Sequence, residues 1–390
     1  MNGLINVKKS RQVSLIALMI ICTCFLTGCW NYREIEQLAI VSGVAIDKNG
    51  EDKVLVTIET VSVQQDQKQS TLKPVYIQSV GITFFGAIRS MIAVEGKRLY
   101  WSHAKVAIIS EEIAKEGISS VLDFISRDAE VREDMWVLLS REKSAREIFN
   151  SKPEFESILS FQIDNTMRAQ ESVSRYPAVE LYEFLDNIGS KEASTTIPTI
   201  KLIENRGKTE VYITGAAIIK KNKLLGYLGE TDTRSMLWVQ NKLKGGIYPI
   251  KDAADTQINV ALEIFKNKTR IKPELRDGVP IIKINILTDV NIGEIMGYED
   301  FISEKGRSLL EKDAEAQIKK DIEDLIEKAQ KEYKTDFLGF GESIKRSMPN
   351  VWRSIEKEWN EIFMDIETSV EVDISIKGSA IKSKPIKVGD

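Results

Sequence analysis

Leu26-Thr27-Gly28-Cys29 carries the one spacing in this chain that specifies a covalent reaction. An aliphatic residue, two small residues and a cysteine have the form of a bacterial lipobox. The cysteine thiol takes a diacylglyceryl group, and a peptidase then cuts between Gly28 and Cys29. The small residues before the cut let the backbone enter the peptidase cleft. The mature chain is then expected to begin at Cys29 with a lipid on its sulfur. The preceding residues fit this reading: Lys8, Lys9 and Arg11 with no acid, followed by an apolar run from Val13 to Leu26. At about 1.5 Å per residue that run is roughly 21 Å long, short of the ~30 Å hydrocarbon core, so it reads as a secretory signal and not as a permanent span. Two or more acyl chains anchor stably, because each buried CH₂ contributes about 0.8 kcal/mol.

Other residues with chemical potential give weaker patterns. His103 is the only histidine, in Tyr100-Trp101-Ser102-His103-Ala104-Lys105. A general base needs an orienting acid and a nearby nucleophile, and the adjacent Ser102 points to the opposite face of an extended chain. A structural, hydrogen-bonded histidine is the expectation. Asp128, Glu130, Glu133 and Asp134 cluster, but Arg127 and Arg132 interleave, which reads as ion pairing and not as a carboxylate pair for glycoside cleavage. Gly339-Phe340-Gly341 has no third glycine and no Lys-Ser/Thr, and it follows a helix instead of a strand, so it is no nucleotide loop. It is expected to break a helix, with Phe337 and Phe340 in the core. Trp238, Trp352 and Trp359 are expected in the core. No catalytic residue, metal site or cofactor is expected beyond the covalent lipid on Cys29.

Composition narrows the function further. The chain has 390 residues, 43% hydrophobic and 29% charged, an ordinary globular balance. With 54 Lys+Arg against 58 Asp+Glu, it lacks the cationic excess of a nucleic-acid binder. Its three cysteines all fall before residue 30, so the body has neither a disulfide scaffold nor a thiolate metal site. Removing three cations with the leader takes the net charge from -4 to -7. Little linker follows Cys29, so the body is expected close to the bilayer, where Trp30 and Tyr32 suit the headgroup zone or pack on the body.

The elements that must position these residues alternate between strand and helix. Ile40–Ile46 and the run from Val54 to Ile58 read as a hairpin around Asp47-Lys48-Asn49-Gly50, and residues 64–73 as an exposed loop. A helix is expected over Phe84–Val94, a buried strand over Val106–Ile109, a helix over Glu111–Ile125 and a strand over Val137–Leu139. Helical patterns follow at Phe155–Phe161 and Ala178–Ile188. Polar residues over 189–210 read as a junction. Beyond it come a hairpin (Val211–Ile219, Leu224–Leu228), a helix over Asp232–Leu243 and alternating strands around Ile258–Ile264 and Ile282–Ile286. A charged helix over Asp300–Lys334 has Ile318, Ile322, Leu325 and Ala329 on one face, packed on a sheet or, less simply, on a partner. A helix over Ser343–Phe363, interrupted at Pro349, and a last strand over Val370–Ile376 complete the pattern. The fold class is α+β, a mixed α/β chain in which a lipoprotein signal peptide precedes two to three α/β lobes. Each lobe is a mixed or antiparallel sheet packed with helices. The division is 1–28 signal peptide, 29–200 N-terminal region of one or two lobes, and 211–388 C-terminal domain.

The mature start Gly28-Cys29-Trp30-Asn31-Tyr32-Arg33-Glu34-Ile35 resembles that of the Ger(x)C family of spore germination lipoproteins, which often has Asp where Asn31 stands. Gly43-Val44-Ala45-Ile46-Asp47, Ser102-His103-Ala104-Lys105-Val106, Phe124 to Arg132, Gly215-Ala216-Ala217 and Asp336 to Gly341 resemble further family motifs in the same order. So does the tryptophan pair Trp352 and Trp359. The resemblance implies the non-catalytic C subunit of a spore germinant receptor, working in nutrient-triggered germination. It implies a lipid anchor on the outer face of the spore inner membrane and assembly with a multi-span A subunit and a transporter-like B subunit. It also implies separate α/β lobes. A solute-binding lipoprotein that captures the nutrient itself is the alternative, and a membrane-tethered peptidoglycan hydrolase is a third reading.

Overall fold

A computed structural model describes residues 14, 16, 17, 19 and 37–378, except 66–69, 128–129, 155 and 189–193. Gly28 and Cys29, with the rest of the mature start, lie outside the described residues.

The first sheet has nine strands, ordered β3-β2-β1-β5-β6-β7-β8-β9 with β4 also on β1. It begins with β1 (Leu38–Lys48), β2 (Val54–Gln65) and β3 (Ser70–Gly81), an antiparallel meander at one edge. Helix α1 (Phe84–Glu95) leads to β4 (Arg98–Tyr100) and β5 (Val106–Ile109), both parallel to β1. Two helices, α2 (Glu111–Glu116) and α3 (Ser119–Arg127), replace the single one expected, because Gly117 at φ 145° breaks the run. β6 (Trp136–Ser140) follows, then a 3-10 turn at Ala145–Asn150, α4 (Leu159–Arg168), α5 (Gln170–Val173) and α6 (Leu181–Ile188). β7 (Ser194–Asn205), β8 (Lys208–Lys220) and β9 (Lys223–Leu228) complete the sheet.

Helices cover both faces of this sheet. Val44, Ile46, Ala107, Ile109, Val137 and Leu139 pack under α1, α2, α3 and α6. Ala45, Val106, Ile108 and Leu138 pack on the other side with Ile148 and with Leu159, Ile163 and Met167 of α4. A strand buried on both faces needs apolar residues at successive positions, which is why β5 and β6 read as unbroken apolar runs.

The second sheet is ordered β10-β11-β12-β13. Helix α7 (Glu230–Val239) links the sheets and has Met236, Leu237, Trp238 and Val239 buried in the core that also holds Ala216, Ile218 and Leu228 of the first sheet. β10 (Gly246–Ile250), β11 (Val260–Arg276) and β12 (Val279–Ile295) run antiparallel, and β13 (Thr368–Gly378) joins β12 in parallel. α8 (Glu304–Glu327) covers one face through Leu310, Ala314, Ile318, Ile322 and Leu325, so its apolar stripe is filled by its own sheet. A π turn at Lys328–Tyr333 extends it, and α9 (Phe340–Ser347), α10 (Pro349–Ile355) and α11 (Trp359–Asp365) close the layer.

One further expectation differs from the structure. Residues 64, 65 and 70–73 are not loop: they pair across β2 and β3, from Ser62↔Lys73 to Gln65↔Ser70. Their polarity misleads because this part of the ribbon has no core to face. The polar cluster Asn205-Arg206-Gly207-Lys208 is a turn within the first sheet, between β7 and β8, and the passage from one sheet to the other falls between Leu228 and Gly246. Arg206 and Gly207 both have positive φ (51° and 73°), as do Lys221-Asn222 and Asp277-Gly278. Paired left-handed residues twist a two-residue turn in the same sense as its strands, so all three close hairpins.

Candidate functional site

The residues of the quoted motifs lead to buried or half-buried carboxylates at helix starts. Asp47, at the end of β1, accepts from the backbone N–H groups of Ala145 and Arg146. Glu59, fully buried on β2, accepts from Leu159 N (3.1 Å) and Ser160 N (3.0 Å) at the start of α4, from Ser42 Oγ (2.9 Å) and from Tyr76 Oη (3.2 Å). Asp336 accepts at Oδ1 from Leu338 N (3.2 Å), Gly339 N (2.9 Å) and Phe340 N (3.1 Å). Its Oδ2 accepts from Gly341 N (2.7 Å) and Trp359 Nε1 (3.2 Å).

The chemistry of all three is the same. The first turn of a helix leaves N–H groups without intrahelical partners, and the helix dipole places partial positive charge there. A carboxylate answers both needs. Burial pushes the Asp336 carboxyl up, against the downward pull of the Gly341, Phe340 and Gly339 backbone N–H groups and the Trp359 indole. Burial also pushes Asp47 up, opposed by its two backbone donors. These acids are committed to holding elements together. Two motif glycines serve the same packing. A Cβ on Gly43 would lie 2.1 Å from Ser160 Oγ beside the Glu59 cap, and one on Gly341 would lie 2.7 Å from Trp359 Nε1. The helical run before Asp336 already ends at Lys334 (φ 50°), so Gly339-Phe340-Gly341 begins α9 and does not break the long helix.

A second polar cluster lines a cleft of about 280 Å³ between α7 and α8, with Glu230, Asp232, Asp321, Asp324 and Lys328. Lys328 Nζ donates to both oxygens of Asp232 (2.8 and 2.9 Å). Tyr248 Oη donates to Asp321 (2.8 Å), and Tyr212 Oη and Thr214 Oγ1 donate to Glu230 (2.8 Å each). Arg234 is buried nearby with its guanidinium carbon 5.7 Å from the Tyr248 ring centroid. Burial lowers its pKa. The cluster ties α7, α8 and β10 together through charge-assisted bonds. A larger open depression, about 640 Å³, is lined by Asn150, Lys152, Pro153, Glu154, Gly207, Lys208 and Thr209, with Lys208 paired to Glu154.

The remaining candidates are dispersed. His103 is exposed in a turn, its ring centroid 6.0 Å from that of Tyr100. Ser102 Oγ donates to the Glu130 backbone carbonyl. Arg98 pairs with Glu130 (2.6 Å) and Arg132 with Asp134, the ion pairing expected of that cluster; Asp128 lies outside the described residues. Trp238 is fully buried and donates to Thr288 Oγ1 (3.3 Å), while Trp352 and Trp359 meet edge to face at 5.6 Å. Phe337 and Phe340 are buried. Among the described residues, no group of three or more His, Cys, Asp or Glu is placed to hold a metal. No helix among them is long and apolar enough to cross a membrane.

Glu59, Asp47 and Asp336 are capping acids that the sequence pattern does not announce as caps. A signal existed for Glu59, a lone acid in an otherwise apolar and hydroxyl-bearing stretch, Val54 to Val61. Asp336 lies three residues before Gly339, the N-cap of the amphipathic α9, outside the position at which a capping residue is read from sequence.

Two family descriptions match the chain: "Spore germination protein N-terminal domain" over residues 31–202 and "Spore germination B3/ GerAC like, C-terminal" over 214–380. Spore germination protein B3 of Bacillus subtilis (strain 168) is 27% identical over 377 residues, covering 95% of this chain and 97% of that one. Spore germination protein KC of the same organism is 24% identical over 401 residues, covering 97% and 98%. The crystal structure of the GerBC protein superimposes with a TM-score of 0.54 at 24% identity, covering 88% of this chain and all of that one, which supports the fold.

Proposed function

Since the chain belongs to the GerAC-like family of spore germination proteins, we propose that it is the lipid-anchored, non-catalytic C subunit of a spore germinant receptor. In this reading the mature protein starts at Cys29, carries diacylglycerol on that sulfur, and sits on the outer face of the spore inner membrane beside the A and B subunits. The observation that carries the reading is the lipobox at Gly28-Cys29 directly ahead of a chain that matches germination proteins along nearly its whole length. The commitment of Asp47, Glu59 and Asp336 to helix caps supports a structural role for these three acids.

The test is Cys29→Ala in the organism that makes the protein. The variant is expected to leave the spore membrane fraction and to slow nutrient-triggered germination, with germination by a nutrient-independent trigger unchanged. Full membrane retention with normal germination would contradict the reading.

A further inference from the structure

The β2–β3 ribbon outruns its sheet. β1 pairs with β2 only as far as Ile40↔Val61, whereas β2 and β3 continue through four more pairs to Gln65↔Ser70. At about 3.3 Å per residue this overhang is roughly 13 Å long. Period-2 alternation sorts its side chains. One face has Val61 opposite Pro74 and Val63 opposite Leu72, and the other has Ser62, Gln64, Thr71 and Lys73. Val63 is 62% exposed and Leu72 41%, and none of the four apolar residues belongs to any of the three cores.

The position of this amphipathic ribbon decides what it meets. β1 runs antiparallel to β2, so its first residue, Leu38, lies at the end of the sheet from which the ribbon projects. Only eight residues separate Leu38 from Cys29. Nine peptide steps span at most about 30 Å when fully extended. A lipid on Cys29 therefore holds that end of the sheet near the bilayer, and Trp30 and Tyr32 in the intervening segment suit the headgroup zone. Lys73, exposed on the polar side of the ribbon, suits anionic headgroups.

From this placement we infer that the face formed by Val61, Val63, Leu72 and Pro74 rests on the lipid surface as a second membrane contact beside the anchor. The inference depends on the anchor reading and adds an orientation to it: the β3 edge of the first sheet lies down on the membrane. Two contacts hold the body at a fixed angle, which a single flexible tether does not do.

The test uses the lipidated full chain with Val63→Cys, so that the engineered thiol is the free one in the processed protein. It carries a polarity-sensitive fluorophore and is reconstituted in vesicles of phosphatidylglycerol and phosphatidylethanolamine. A label at Asp52→Cys, in the turn at the other end of β2, is the control. The label at position 63 is expected to shift to the blue and to be quenched severalfold by brominated lipid, with the control unaffected. Adding Leu72→Asp is expected to return it to the control level without loss of β-sheet circular dichroism. If the protein floats with the vesicles but position 63 is as open to aqueous iodide as position 52, the anchor stands and the inference falls. A label shielded only in native spore membranes, and never quenched by brominated lipid, assigns the face to a protein partner and overturns the lipid assignment. Protein that fails to float overturns both.

Discussion

The two sheets solve different burial problems. The first is covered on both faces, and its central strands β5 and β6 are buried at every position. The second has helices on one face only. β12 alternates Ile284, Ile286, Val290 and Ile292 inward against Lys283, Asn285, Leu287 and Asp289 on the more open side. The difference extends to polar groups. The doubly covered sheet places carboxylates inside itself, Glu59 and Asp47, because the helices packed on it present N-termini that need acceptors. The singly covered sheet leaves its charges outside, as in the Lys272–Glu274–Lys283 group. Its half-buried cap, Asp336, comes from the loop between helices.

Substitutions break this contrast in order of expected size. Ile108→Ala, in the middle of β5, removes a fully buried side chain under α4 and is expected to lower stability by about 2–5 kcal/mol in urea unfolding. Leu287→Ala, on the open side of β12 and 54% exposed, is expected within about 0.5 kcal/mol of the parent. Equal losses at the two positions would contradict the account of the sheets.

Asp336→Ala strips the acceptor from four backbone N–H groups and one indole, and a loss of about 2–3 kcal/mol is expected. Asp336→Asn keeps an acceptor and is expected to lose less. Glu59→Gln keeps the shape but weakens the cap of α4, with an expected loss of about 1–2 kcal/mol. Faster amide exchange at Leu159 and Ser160 would report it. No change at either amide would show that the acid serves some other purpose than holding the helix.

The smallest expected effect is electrostatic. Hydrogen bonds from Lys272 and Lys283 hold the half-exposed Glu274 down to about 2. A depressed carboxylate stabilises the fold above its ordinary pKa and loses that contribution as pH falls. The stability difference between the parent and Glu274→Gln is therefore expected to be constant above about pH 5 and to shrink between about 4.5 and 2. Because its lysine partners are exposed, 0.5 M salt is expected to reduce it.

The same contrast explains what could be read from the chain alone. β8, β9 and β13 were legible, as were α1 and the buried face of α8, because local periodicity matches local burial. The unbroken apolar runs of β5 and β6 were legible as buried strands. β3 was not, since at the sheet edge it buries Ile77 and little else, and its polar end resembles loop. The limits of the first sheet were also hidden. Nothing in the 194–205 pattern says that its strand joins β6 across the preceding helices, a pairing set by long-range topology. A lipobox is a purely local pattern, the kind that sequence alone can carry, whereas the caps depend on which helix start arrives beside which acid. Asp47 and Ala145 are 98 residues apart, and Glu59 and Ser160 are 101.

Lipid anchoring and receptor assembly are both read by purification of the protein from detergent-solubilised spore membranes with its partners identified by mass spectrometry. The account predicts an N-terminal Cys29 bearing diacylglycerol and the recovery of a multi-span membrane protein in constant ratio. Recovery of the protein alone, with nutrient bound by its own body, would contradict receptor assembly and make it a solute-binding lipoprotein.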